Sequence, residues 1–362
     1  MHKILHTEWS NGWGGQEIRI IDEIMAISEF GHDVFLACRK ESKIYRAALE
    51  KNIRVFTLPF RGNFDLKTIY LLIRIIKENN ISIVNTHSGK DTWVGGLAAK
   101  ICKIKFIRTR HLSNAINSSR LNFINQMADY IFTTGESVRL NMINHNRIKP
   151  EKIKSIPTGI DTDIFNPSNF NSLEIRRKNG FTSDQLIIGI VAVLRGFKRH
   201  DRFLRMAGEI IRSNPQKKII FLIVGDGPQK NNIKELLDKL NLNDKVILYG
   251  HSTNVPQILS MLDIFVLSSD SGEGVPQSIM QALLMKKAVI ATDAGSTIDL
   301  HDGKNFLLVN KDSEDELFDA CKRVIHDRKL RKNLSEKSRD FIYKKFSRKV
   351  MVEKINNIYK II

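Results

Sequence analysis

Four apolar residues, Ile264 to Leu267, run straight into Ser268-Ser-Asp-Ser-Gly-Glu-Gly-Val-Pro-Gln-Ser-Ile-Met-Gln-Ala-Leu-Leu-Met285. The apolar run predicts a buried parallel strand. Ile279, Met280, Leu283 and Leu284 then recur at helical spacing, and Pro276 stands where proline is tolerated, at the first helical position. Strand, glycine turn and helix therefore follow one another within some twenty residues. A helix start offers backbone N–H groups and a partial positive charge, which suit a phosphate. Gly272 and Gly274 let the backbone come close to a ligand. Glu273 sets a carboxylate at the mouth of the turn, where it can accept from hydroxyls. A phosphate site beside a hydroxyl-reading acid is what a sugar nucleotide needs.

The same unit repeats along the chain. Lys3–Thr7, Asp33–Cys38, Arg54–Leu58, Ile83–Thr86, Phe106–Thr109 and Tyr130–Thr134 read as strands, the last closing a first domain. Between them, Ile18–Ile27, a stretch from Tyr45, and Asp65–Asn79 carry helical stripes. The segment from Pro157 to Pro167, with two prolines, a glycine and little periodicity, reads as a linker. Leu186–Val193, Ile219–Val224, Val246–Tyr249, Ile264–Leu267, Ala288–Thr292 and Asn305–Val309 are the strands of a second domain. Ser313 with Glu316 forms a capping box, and residues 328–362 read as two basic helices. Alternating strands and helices predict an α/β fold of two doubly wound parallel sheets. The expected division is 1–165, 166–345 and a final helix over 346–362.

At 362 residues and 42% hydrophobic content, the chain can bury two cores. It has no apolar run of about 20 residues and no long apolar leader, so a cytoplasmic protein is expected. Cys38, Cys102 and Cys321 lie far apart without metal spacing and are expected to be reduced thiols. The net charge of +18 admits three partners: nucleic acid, an anionic membrane surface, or anionic small substrates. No zinc finger or RNA-binding aromatic motif accompanies it.

Candidate residues cluster at the ends of strands, where active groups of open α/β sheets gather. The loop His6-Thr-Glu-Trp-Ser-Asn-Gly-Trp-Gly-Gly15 lacks the Gly-x-Gly-x-x-Gly dinucleotide fingerprint. The second strand ends in Cys38-Arg39-Lys40 without an acid for an NAD ribose, which argues against a dehydrogenase. Trp9 and Trp13 suit either an acceptor platform, since a sugar face stacks on an aromatic ring, or ordinary loop packing. His87 and His111 follow two strands at the same end; Glu136 and Ser137 follow a third. Leu194-Arg-Gly-Phe-Lys-Arg-His-Asp201 brings Arg195 and Lys198, cations that can neutralise a diphosphate leaving group.

Glu273-Gly-Val-Pro with a polar residue at 281 resembles the Glu-x7-Glu signature of the retaining family-4 glycosyltransferases (glycosyl transferases group 1), which have the two-domain GT-B fold. Ala288–Asp293 with Gly295, Val224-Gly-Asp-Gly-Pro228, Pro157-Thr-Gly-Ile-Asp161 and Gly14-Gly15 extend the likeness over nearly the whole chain. The resemblance implies two Rossmann-like domains facing a central cleft, with the last helix crossing back. It implies donor binding by Gly14, Gly15, Arg195, Lys198, Glu273, Gly274, Val275, Pro276 and Gln281. His111, Glu273 and Lys198 become the catalytic groups, and Trp13 and His87 the acceptor-side ones. Two positions depart from the family: Gln281 replaces the second acid, beside the ribose hydroxyls, and Val193 stands at the usual arginine, with Arg195 two residues on as a substitute.

The activity implied is transfer of a sugar from a nucleoside-diphosphate sugar, a UDP-sugar by resemblance, with retention of configuration. No metal and no cofactor beyond the donor co-substrate are expected. The implied acceptor is a surface glycan or lipopolysaccharide hydroxyl, met by a peripheral protein at the cytoplasmic face of an anionic inner membrane, with no nucleic-acid partner. Closure about residues 157–170 would exclude water. Two rivals remain: another GT-B sugar-nucleotide enzyme, such as an epimerase or phosphorylase, and a basic, non-catalytic nucleic-acid-binding protein.

Overall fold

The computed structural model describes residues 1–111, 116 and 123–362. They divide into two compact units, one of Met1–Gly159 with Arg348–Ile362 and one of Ile160–Ser347. The division falls at Gly159 and Ser347 rather than at 165 and 345. Ile160 N–H donates to Phe346 O at 2.9 Å, and Phe165 packs into the second core, so the connecting segment belongs to the second unit from Ile160 onward.

In the first unit the chain runs β1 (Lys3–Glu8), α1 (Gly15–Glu29), β2 (Asp33–Cys38), α2 (Lys43–Glu50), β3 (Arg54–Thr57), α3 (Leu66–Glu78) and β4 (Ile83–Thr86). Next come α4 (Gly89–Ile101), β5 (Lys105–Arg110), β6 (Tyr130–Thr133), α5 (Glu136–Asn146) and β7 (Ile153–Ser155). The strands form one parallel sheet in the order β3-β2-β1-β4-β5-β6-β7. Tyr130–Thr133 does not close this sheet, as the sequence had suggested. Ile153–Ser155 pairs beyond it, a strand too short to show periodicity.

Side chains alternate across each strand. Ile4, Leu36, Ile83, Ile107 and Phe132 face one core; Leu5, Phe35, Val84, Phe106 and Ile131 face the other. Close approach is required where α4 crosses the second face. A Cβ at Gly95 would lie 2.9 Å from Thr86 Cγ2, and one at Gly96 only 2.7 Å from the Phe106 ring.

The second unit runs α6 (Ser172–Lys178), β8 (Leu186–Val191), α7 (His200–Ser213), β9 (Ile219–Val224), α8 (Lys230–Lys239) and β10 (Val246–Gly250). It continues with α9 (Val255–Met261), β11 (Ile264–Leu267), α10 (Gln277–Leu284), β12 (Ala288–Thr292), β13 (Leu307–Val309), α11 (Glu314–His326) and α12 (Arg328–Phe346). Its parallel sheet has the order β10-β9-β8-β11-β12-β13. β8 stops at Val191, short of the expected Val193, because Leu194 N–H turns to Asp226 O at 3.1 Å. β13 starts at Leu307, not Asn305, whose side chain and backbone serve a turn with Leu300 O and Asp302. α13 (Arg348–Tyr359) belongs to the first unit, where Met351, Val352, Ile355, Ile358 and Tyr359 enter the core shared with α1. Among the described residues no helix is long and apolar enough to cross a membrane.

Both sheets reverse their strand order once, between β1 and β4 and between β8 and β11. Loops leaving the carboxyl ends of two such strands diverge, which opens a crevice. The two sets of candidate residues lie at these points.

Candidate active site

In the second unit, β8 and β11 deliver the two loops of the switch point. Lys198 lies in a short 3-10 turn, Gly196–Lys198, after β8; Glu273 lies in the turn between β11 and α10. The loops are stitched together. Asp270 N–H donates to Phe197 O at 3.0 Å, and Ser268 Oγ to Arg199 O at 2.9 Å. Arg199 pairs with Asp270 at 3.1 Å and with Asp201 at 2.9 Å. At their junction Lys198 Nζ donates to Glu273 Oε1 at 2.5 Å, and Ser269 Oγ donates to the same oxygen at 2.6 Å. Both side chains are largely buried, 14% and 7% exposed, so the pair is partly withdrawn from solvent screening.

The next loop fixes the backbone of Glu273. Ser296 N–H donates to Glu273 O at 3.3 Å, and Thr292 Oγ1 to Ser269 O. Pro276 proves to be the cap residue of α10, with Gln277 first in the helix; its extended φ and ψ of −71° and 115° turn the chain into the helix. Val275 buries its side chain in the core. Gly274 and Gln281 are half-buried, Gln281 on the second turn of α10.

Arg195 does not join Lys198 and Glu273. It is exposed and lines a depression with His200, Gln229 and Asn232, while Val193 points outward at 42% exposure. Arg195 N–H donates back to Val193 O at 2.8 Å, a tight turn centred on Leu194, so extended-chain alternation no longer relates position 195 to 193.

In the first unit, three adjacent strands carry histidines to one place. His6 lies on β1, His87 just after β4 and His111 just after β5. His6 Nδ1 and His87 Nε2 are 2.8 Å apart, and His87 Nδ1 and His111 Nε2 are 2.9 Å apart, a hydrogen-bonded chain of three rings. Burial is the largest cause holding all three below the ordinary histidine value, His6 at about 3; neighbouring histidines and Arg19 and Arg108 lower His87 further. The rings are therefore neutral near pH 7, and each carries one N–H. His87 is 2% exposed, with both ring nitrogens engaged by His6 and His111. His111 is half-buried and is the outermost ring of the chain.

Gly14 caps α1 in an extended conformation, and Gly15 is its first residue. The loop before them holds Trp13, 40% exposed, and Trp9, whose ring lies 4.1 Å from Lys90 Nζ and 5.5 Å from the Arg39 guanidinium carbon. Its base is polar. Glu8 accepts from Ser10 N–H and Gln16 Nε2, Asp91 accepts from Thr7 Oγ1, His87 N–H and Ser88 N–H, and the Ser88 hydroxyl lies within hydrogen-bond distance of both carboxyls.

Glu136 opens α5 and pairs with Arg139. The sequence reading missed His6, Ser269, Glu8 and Asp91. The Ser88-x-x-Asp91 spacing of a capping box was the one local signal, and that box is formed. Among the described residues no group of three or more His, Cys, Asp or Glu is placed to hold a metal ion.

Two family models match in succession: the one described as Glycosyltransferase Family 4 over residues 13–164, and the one described as Glycosyl transferases group 1 over residues 171–341. One similar protein is the UDP-Gal:alpha-D-GlcNAc-diphosphoundecaprenol alpha-1,3-galactosyltransferase of Escherichia coli. It is 26% identical over 377 residues, covering 99% of this chain and 96% of the relative. Among solved structures, a glycosyltransferase from Rickettsia africae ESF-5 superposes with a TM-score of 0.89 at 23% identity, over 99% of this chain and 98% of that one. Anabaena Alr3699/HepE in complex with UDP and glucose gives 0.85 at 19% identity, over all of both chains.

Proposed function

The chain belongs to the group 1, family 4 glycosyltransferases of GT-B fold, and from that premise we propose that it moves a sugar from a UDP-sugar to a lipid-linked glycan, with retention of configuration and without a metal. The observation that carries the donor reading is the Lys198–Glu273–Ser269 constellation at a strand-order reversal, directly before a helix. The Lys198 ammonium and the first-turn N–H groups of α10 suit the diphosphate and the charge that grows on it as the anomeric carbon–oxygen bond breaks. Glu273 suits the sugar hydroxyls.

His111, held neutral, serves as a hydrogen-bonding group toward the sugar rather than as a titrating acid. The acceptor hydroxyl forms the new bond to the anomeric carbon, and its proton passes to the departing phosphate. The E. coli relative acts on a diphosphoundecaprenol-linked sugar, and UDP is bound in the Anabaena structure; both support the substrate class.

Such an acceptor lies in a membrane. The solvent face of α3 offers a contact: Leu66 and Tyr70, one turn apart, and nearby Phe64 are 78%, 66% and 66% exposed. Arg61, Lys67 and Arg74 surround them, and the chain carries a net +18. An apolar and aromatic face rimmed by cations fits an anionic lipid surface at the cytoplasmic side. Sedimentation with vesicles containing phosphatidylglycerol should carry the protein down and lose it in Leu66→Ser/Tyr70→Ser; equal sedimentation of that variant would refute the contact.

The deciding experiment screens UDP-, GDP- and ADP-sugars for release of nucleoside diphosphate, with EDTA present, on the parent chain, Lys198→Ala and Glu273→Ala. Release from a UDP-sugar that survives EDTA and is lost in both variants is expected. Absence of nucleotide binding, or variants equal to the parent, would overturn the site.

A further inference from the structure

The polar base of the Trp9–Gly14 loop is one proton short. Ser88 Oγ lies 2.7 Å from Glu8 Oε1 and 2.8 Å from Asp91 Oδ1, both hydrogen-bond distances between oxygens. A serine hydroxyl has a single proton and can donate it to only one of them. Were both carboxyls ionised, an oxygen lone pair of Ser88 would face an anionic oxygen at hydrogen-bond distance. One carboxyl must therefore carry the missing proton.

The donor count decides which. Asp91 receives Thr7 Oγ1 at 2.9 Å, His87 N–H at 2.8 Å and Ser88 N–H at 2.9 Å, apart from the Ser88 hydroxyl. Burial raises Asp91 above the ordinary carboxylate value, and these hydrogen bonds and the Arg108 cation oppose that rise. Among the described residues Glu8 receives, apart from the Ser88 contact, Ser10 N–H at 2.7 Å and Gln16 Nε2 at 2.5 Å, two donors against the three of Asp91, and both carboxyls are fully buried. Hydrogen bonds to the charged form stabilise that form, so Asp91 takes the charge and Glu8 the proton.

The groups around Glu8 agree. Asp91 on α4 and Glu17 on α1 face it with negative charge, and the Cys38 thiol at the end of β2 is pushed up to about 12, first by burial, and so brings no cation to it. Burial and Asp91 push Glu8 up to about 8. The cations Arg39 and Lys90 lie on the Trp9 ring beyond the carboxyl.

We propose that Glu8 stands as a neutral carboxylic acid donating its proton to Ser88, and that this neutral form is the positioning element that closes the Trp9–Gly14 loop over the acceptor. Glu8 reaches both ends of the loop, Ser10 and Gln16, and ties them to the start of α4 at Ser88. Ionised, it would lose the bond to Ser88 and repel Asp91, and the loop would come away from α4. That this loop meets the acceptor rests on the transferase reading; the proton on Glu8 does not.

The test has arms that fail separately. Difference infrared spectroscopy should show the carbonyl band of a protonated carboxyl at pH 7, absent in Glu8→Gln and disappearing in the parent as pH passes about 8. Tryptophan emission from Trp9 and Trp13 should shift over the same range in the parent and stay flat in Glu8→Gln, whose side chain is permanently neutral. With N-acetylglucosaminyl diphosphate on a short lipid tail as acceptor, KM for that acceptor should rise about tenfold across the range while KM for the donor holds. Glu8→Gln should remove this pH dependence, and Glu8→Ala should show the high acceptor KM at every pH. Absence of the band at pH 7 overturns the proton. A band accompanied by flat emission overturns the loop role. Infrared and emission changes without any transfer would leave the proton assignment standing and overturn the transferase reading instead.

Discussion

The carbonyl oxygen of Glu273 occupies the space that a side chain would need at Gly295. Gly295 has φ of +57°, and a Cβ built there would collide with backbone atoms of Glu273, not with a side chain able to swing aside. The turn after β12 thus sets the height of the strand-end acid. Gly295→Ala should therefore cost roughly 1–3 kcal/mol in stability through strain and displacement. It should also lower donor turnover nearly as far as Glu273→Ala. Urea unfolding and UDP release together check this; normal turnover in a destabilised variant would show that the turn supports the fold alone.

Lys198 and Glu273 share one buried contact, so their substitutions should not add. Each single alanine variant is expected to lower kcat/KM for the donor by about a hundredfold or more. The double variant should fall little further than the worse single one. Additive losses in a double-mutant cycle would mean that the two side chains act on separate parts of the donor.

The histidine chain predicts acid sensitivity. His6, and His200 on α7, sit at about 3 and 4, below the ordinary histidine value, because burial disfavours the cation; His87 and His111 are lowered as well. A depressed histidine gives stability that is complete above the unfolded value near 6.5 and is lost as pH falls below it. Unfolding free energy should thus decline steadily from about pH 6.5 toward 4, with uptake of more than one proton on unfolding. Replacing His6 by Asn should reduce that slope. A flat profile between pH 6.5 and 5 would contradict neutral buried rings.

Gln281 keeps both a donor and an acceptor where the family carries an acid. Gln281→Glu should change donor KM by less than about tenfold, whereas Gln281→Ala should raise it with kcat nearly held, as loss of uniform binding does. A fall in kcat alone would place Gln281 at the reacting centre.

Much of this architecture was legible in residue order. Ile83–Thr86, Ile219–Val224, Ile264–Leu267 and Ala288–Thr292 are strands with the ends their apolar runs suggested. The basic tail is two helices divided at Ser347. Where prediction and structure part, a local contact intervened: the Leu194–Asp226 hydrogen bond ended β8, and the Asp302–Asn305 turn delayed β13. Neither leaves a mark on hydrophobic periodicity, which reports burial and not the partner of a single N–H group.

Residue order alone sets what is local: alternating apolar runs, the glycine turn before α10, and the presence of Lys198, Glu273 and His111 in the loops after strands. Their partners came from the tertiary structure. Lys198 and Glu273 stand 75 residues apart and meet because β8 and β11 are neighbours. His6 reaches His87 because β1 pairs with β4, and His87 reaches His111 because β4 pairs with β5. The proton on Glu8 follows from Ser88 and Asp91, brought to it across the same strand pair. Strand order is set by how whole faces are buried, a sum over the sheet, so no single stretch of residues announces which strand ends will adjoin.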